Sequence, residues 1–118
     1  MKILYEEGKL GELSQGDLVW FNPNPVEGHE QGNYRPHVVL SHKATNRSNV
    51  VTVLPITSTE RELPFRYPIE LSASRSWVVV DQPKTFDLRK REYEFDDEEF
   101  ISKAELGYIL GMFKAIFF

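Results

Sequence analysis

The chain has 118 residues, 41% hydrophobic, 13% aromatic and 27% charged, which is the composition of one folded domain with a single core and argues against disorder. It holds no cysteine, which excludes a disulfide framework and a thiolate metal site; no stretch reaches the apolar length of a membrane span, and the opening MKILYEEGKLGELSQ lacks a signal-peptide core, so a soluble cytoplasmic protein with no membrane partner is expected. The formal net charge is −4, but residues 92–99, EYEFDDEE, carry six acids and no base, leaving the remainder mildly basic; since the field over one face steers a nucleic acid, the sum neither supports nor excludes an RNA partner.

Residues 1–15 form a polar, poorly patterned arm, for which a short strand, a turn of helix and a loose segment all remain open. Gly16 then opens DLVWF (17–21), rich in strand formers. NPNPVEGHEQGNY (22–34) holds two prolines, two glycines and three asparagines and reads as a loop. It is long for a hairpin, and loops of that length are more often functional than idle. A strand runs from Arg35 to Ser41, KATNRSN (43–49) is a turn, and VVTVLPITS (50–58) is a near-continuous apolar run suited to a strand buried on both faces. After a turn at 60–64, FRYPIEL (65–71) alternates and contains a proline, which places it at a sheet edge. WVVVDQ (77–82) is a strand and KTFDL (84–88) a short one, while EYEFDDEE reads as a solvated face. SKAE (102–105) is a capping box, after which Leu106, Ile109, Leu110, Phe113, Ile116 and Phe117 recur at helical spacing, so a helix is expected over 102–116. Its apolar stripe is core or dimer surface, and the terminal AIFF is expected to dock. The pattern predicts one domain over 1–118: a mainly β, small barrel over 16–91 with a C-terminal α-helix.

Taken in order, GDLVWF, NP, GHEQGNYRPHVVLS, Asn46, VTVLPITS, PFRYPIEL and VVVDQPKTFDLRKR resemble the MazF/PemK/Kid family of toxin endoribonucleases over about residues 16–91. The G-x-E-Q-x-x-x-R-P loop-to-strand and the P-I-T-S strand end carry most of the resemblance, with D-Q-P-x-T a third element. It implies an SH3-like β-barrel with a C-terminal helix, a homodimer, cleavage of single-stranded mRNA without a metal or other cofactor, and a cognate antitoxin that blocks the site. The gyrase-poisoning toxin CcdB shares that fold, so the alternative is a non-enzymatic toxin that binds DNA gyrase; fold alone does not separate the two. A plain SH3-like peptide-binding module is a third reading, kept open by Tyr34, Tyr67 and Trp77 but without a clear aromatic groove.

Metal-free RNA cleavage needs a base for the 2′-hydroxyl, an acid for the leaving 5′-oxygen and a positive, directional clamp on the phosphate. Arg35 offers a fork of donors matched to phosphate oxygens, at the point where the loop becomes a strand held by Pro36. Surface ion pairing is its bland alternative. Thr57 ends the buried run, where its hydroxyl can bond a phosphate oxygen or merely suit a strand; the family pairing of Arg and Thr favours the former, with Ser58 a weaker neighbour. Glu30 and His29 are the candidate bases, between which the sequence does not choose. Gln31 and Gln82 are assigned to base edges. Asp81 is a supporting residue: an arginine two positions before it, used by some relatives, is Val79 here, so the Arg35/Thr57 pairing fits better. Tyr34, Lys84 and Arg89 are expected to bind RNA, with Lys90 and Arg91 completing a basic cluster. Phe21 and Phe65 are further stacking candidates, although a phenylalanine placed as Phe21 is more often core and three basic residues in a row are usually a solvated turn. A Mg²⁺ site built from EYEFDDEE would need convergence that the sequence does not show, and no metal ligands are assigned.

Overall fold

The computed structural model describes residues 2–6, 12–23, 34–46, 50–59, 63–72 and 74–118. Among them are eight strands: β1 (Lys2–Tyr5), β2 (Asp17–Phe21), β3 (Arg35–Val39), β4 (Val50–Thr57), β5 (Arg66–Glu70), β6 (Arg75–Val79), β7 (Lys84–Asp87) and β8 (Tyr93–Phe100). A helical turn, α1 (Lys43–Asn46), lies within the expected turn at 43–49, and a C-terminal helix, α2 (Lys103–Phe117), closes the chain. The strands pair antiparallel in the order β1-β8-β2-β3-β4-β6-β5, with β7 also on β4. The two ends of this path, β1 and β5, do not pair among the described residues, so the sheet is barrel-like but open.

The central strands are buried on both faces, as the apolar run of β4 predicts. Leu18, Val38, Leu54 and Ile56 pack on one side with α2, while Val19, Phe21, Val39, Val51, Val53 and Tyr93 form a second core on the other. Pro68 puts β5 at the edge, where a missing N–H costs no ladder bond. Gly16 turns the chain into β2 at φ 95°, a conformation that disfavours a side chain, and an added Cβ would come within 3.3 Å of the Ile101 carbonyl. The capping box forms: Ser102 Oγ accepts from the Glu105 N–H at 3.2 Å and donates to its carboxylate at 3.2 Å. Ile109 is fully buried, and Leu106, Leu110, Phe113 and Ile116 pack half-buried on the first core.

Two expectations change. EYEFDDEE is not a solvated face: it forms most of β8, paired with β1 and β2, with Tyr93 wholly buried and stacked on Tyr5 at 5.0 Å. Glu92 and Glu94 alternate with inward-facing Tyr93 and Phe95, and past Phe95 the register shifts and Asp97 and Glu98 stay exposed. Of the AIFF terminus, Ile116 packs on the core, while Phe117 and Phe118 stay 44% and 95% exposed and touch the ring of Phe113.

Candidate functional site

The β3–β4 ladder pairs His37 with Pro55, Val38 with Leu54 and Val39 with Val53. Continued by two residues, the same register sets Arg35 opposite Thr57. Directly opposed residues of an antiparallel pair share a face, with Cβ atoms roughly 5 Å apart. Arg35 and Thr57 also line one cavity of about 470 Å³, together with Tyr34, Ser58 and Thr59. Its other walls include Lys2 and Trp20, Asp96 and Glu99 on β8, and the serines 72, 74 and 76 around the β5–β6 turn. Among the described residues, no hydrogen bond or ion pair takes up the Arg35 guanidinium. Thr57 Oγ1 accepts from the Thr59 N–H at 3.1 Å, which orients the hydroxyl and leaves its proton to donate.

Behind Arg35, His37 is 2% exposed and its ring stacks on Phe21 at 4.1 Å. Burial pushes its pKa down from 6.5 to about 4, the charges of Arg35 and Lys84 acting in the same direction against bonds to the Arg35 and Val19 backbone. The imidazole is therefore neutral at neutral pH and belongs to the floor of the strand pair.

Arg91, just before β8, and Glu94, within it, hold residues 22 and 34. Arg91 donates to the Asn22 carbonyl at 2.6 Å, its guanidinium lying over the rings of Phe86 and Phe21 at 4.8 and 5.6 Å. The Tyr34 hydroxyl donates to the Glu94 carboxylate, and burial together with that bond raises the phenol pKa. Tyr34 also stacks on Trp20, centroids 6.2 Å apart.

Of the residues singled out from the sequence, Arg35, Thr57, Tyr34 and Ser58 come together in the cavity. His29, Glu30 and Gln31 lie outside the described residues. Gln82, Lys84, Arg89 and Asp81 do not line the cavity. β7 runs along the opposite half of β4, Lys84 pairing with Val53, four residues and so roughly 13 Å from Thr57. Asp81 and Gln82 are exposed in the turn after β6, and Arg89 pairs with Asp87 at 3.3 Å. Phe21 is fully buried, so it is core and not a stacking surface. Sequence reasoning missed Lys2, Trp20, Asp96 and Glu99; the alternation with Tyr93 and Phe95 could have signalled Asp96, and no local pattern points to Glu99. Among the described residues, no group of three or more acidic or histidine side chains is placed to hold a metal ion.

Comparison with known proteins agrees with this architecture. A family model described as "PemK-like, MazF-like toxin of type II toxin-antitoxin system" matches residues 14–117. The chain is 31% identical over 102 residues to the endoribonuclease toxin MazF of Escherichia coli (strain K12), covering 81% of this chain and 92% of that protein. It is 35% identical over 89 residues to the endoribonuclease toxin ChpB of the same strain, covering 70% and 77%. The crystal structure of MazF from Deinococcus radiodurans superposes with a TM-score of 0.75 at 29% identity, over 90% of this chain and 96% of that one. A match that spans β2 through α2, with relatives that share both sheet and helix, leaves one conclusion: the chain belongs to the PemK-like, MazF-like toxins of type II toxin-antitoxin systems.

Proposed function

We propose that this toxin is an endoribonuclease that cuts single-stranded mRNA at short sequences without a metal. The 2′-hydroxyl attacks the adjacent phosphorus, the 5′-oxygen leaves, and the products carry a 2′,3′-cyclic phosphate and a 5′-hydroxyl. The observation that carries the reading is that Arg35 and Thr57 line one cavity just past the end of the β3–β4 ladder. A guanidinium fork and a hydroxyl on neighbouring rigid strands suit the extra charge that the phosphate gathers in the transition state. A pKa above 12 makes arginine a poor proton donor, so electrostatic stabilisation is its part. His37 is enclosed and neutral and takes no part as a base, and that role is assigned to Glu30 or His29. Ser58 and Tyr34 contact the strand as it passes, and Gln31 reads a base edge. Relatives named endoribonuclease support the activity, and the family's type II toxin–antitoxin character supports a cognate antitoxin as the partner that occludes the cavity. The chain acts as a single domain, in the cytoplasm, as a homodimer.

The test is incubation of the purified protein with a long single-stranded RNA in excess EDTA, beside an Arg35→Ala variant of equal folded content. Discrete cuts by the wild type, lost in the variant and blocked by one deoxynucleotide at the cleavage point, are expected. Intact RNA with the wild type, or efficient cutting of the deoxy-substituted strand, overturns the proposal. Intact RNA together with binding to DNA gyrase would put the non-enzymatic reading in its place.

A further inference from the structure

β1 lies ahead of the segment that the family model matches, which begins at residue 14, yet it brings a charged side chain to the cavity of Arg35 and Thr57. The β1–β8 register pairs Lys2 with Asp96 and Leu4 with Glu94, and the β8–β2 register pairs Glu94 with Trp20. Lys2, Asp96, Glu94 and Trp20 therefore share one face of the sheet. The Lys2 ammonium sits 3.5 Å from the centroid of the Trp20 ring, a contact that holds a flexible four-carbon side chain in one place.

The charge balance of the cavity gives this placement its meaning. The charged residues among its described walls are Lys2, Arg35, Asp96 and Glu99. Without Lys2, an RNA backbone would meet one guanidinium against two carboxylates. Those carboxylates are committed within the fold: Asp96 accepts from the backbone N–H groups of Glu98 and Glu99 at 3.0 Å each, and Glu99 accepts from the backbone N–H and hydroxyl of Ser72 at 2.6 and 3.0 Å. The lysine ammonium on the indole face keeps donors to offer, since a cation–π contact consumes no hydrogen bond.

We infer that Lys2 is a substrate-binding residue: its ammonium holds an RNA phosphate flanking the one at Arg35 and Thr57, and the N-terminal strand is thereby part of the RNA track. This rests on the endoribonuclease reading above. A contact made equally in ground and transition states raises KM when lost and leaves kcat alone, which sets Lys2 apart from Arg35.

The experiment compares full-length wild type, Lys2→Gln and Lys2→Arg, using a 2′-O-methyl RNA that cannot be attacked and a cleavable RNA of the same sequence. For Lys2→Gln, affinity about five- to tenfold weaker is expected, with the slope of log K against log salt shallower by about 0.7, one phosphate contact on a single strand. KM should rise by a similar factor at unchanged kcat, and Lys2→Arg should restore both. A merely structural role for Lys2 would shift the melting temperature and leave the salt slope alone. Unchanged affinity and slope in Lys2→Gln, with a wild type that cuts RNA, overturns this inference and leaves the endoribonuclease reading standing. A wild type that neither binds nor cuts RNA overturns both.

Discussion

Acidification below neutrality should destabilise this protein through His37. Burial holds the folded-state pKa at about 4 against 6.5 for a free imidazole, so between those values the unfolded chain binds a proton that the folded chain refuses. The contribution of His37 to stability is thus intact above about pH 6.5, declines as pH falls, and stops declining near pH 4, where the folded imidazole is protonated too. Linkage converts the two values into a loss of about 2 kcal/mol between pH 7 and pH 5. Chemical denaturation at half-unit pH steps measures it, with His37→Gln as the reference. The variant is less stable at pH 7 because it loses the stack on Phe21, but the part of the pH dependence due to His37 should vanish from it. Asp17, whose carboxyl is raised chiefly by burial, titrates in both proteins and cancels in the comparison. Stability curves that run parallel from pH 7 to pH 5 would refute the reasoning.

Asn46 is buried, donates to the Leu13 carbonyl at 2.8 Å and accepts from the Ser41 hydroxyl, so Asn46→Ala should cost about 2–3 kcal/mol in urea unfolding, with partners left unsatisfied. Gly16→Ala should cost about 1–2 kcal/mol by the same assay, from the positive φ and the crowding of the Ile101 carbonyl. Phe65 holds φ 66° while 42% exposed, so Phe65→Gly should stabilise the fold by about 1 kcal/mol, read as a rise in melting temperature. Arg91→Ala should cost about 1–2 kcal/mol in the same melt and Arg91→Met less, because methionine retains the packing on Phe86 and loses only the bond to Asn22.

Strands β2, β3, β4 and β6 and the terminal helix were legible because each carries its own signal: β-branched runs bounded by Gly, Pro and Asn, or a capping box followed by a helical stripe. β8 was read as solvated because six acids outweighed the alternation of Tyr93 and Phe95, which was the informative pattern. β1 is four residues long, and its identity depends on pairing with a segment some ninety positions away, which no local window contains. The same limit applies to the site. Arg35 and Thr57 could be named as residue types in a motif, but their meeting in one cavity comes from the pairing of β3 with β4. Lys84 and Arg89 drew attention as cations near D-Q-P-x-T, and only the pairing of β7 with the far half of β4 shows that they hang away from the cavity.

The hold of Arg91 and Glu94 on residues 22 and 34 bears on how such a protein can diversify. Both attachment points of the intervening stretch are fixed by side chains, Arg91 and Glu94, that lie outside it. Where that stretch leaves the scaffold and where it returns are thus specified by a separate part of the chain. Its interior can gain, lose or exchange residues while the entry to the Arg35 strand keeps its place, and the cost of closing a longer loop grows only slowly with length. Recognition and chemistry can then vary independently, one by replacement of an insert and the other by preservation of a frame.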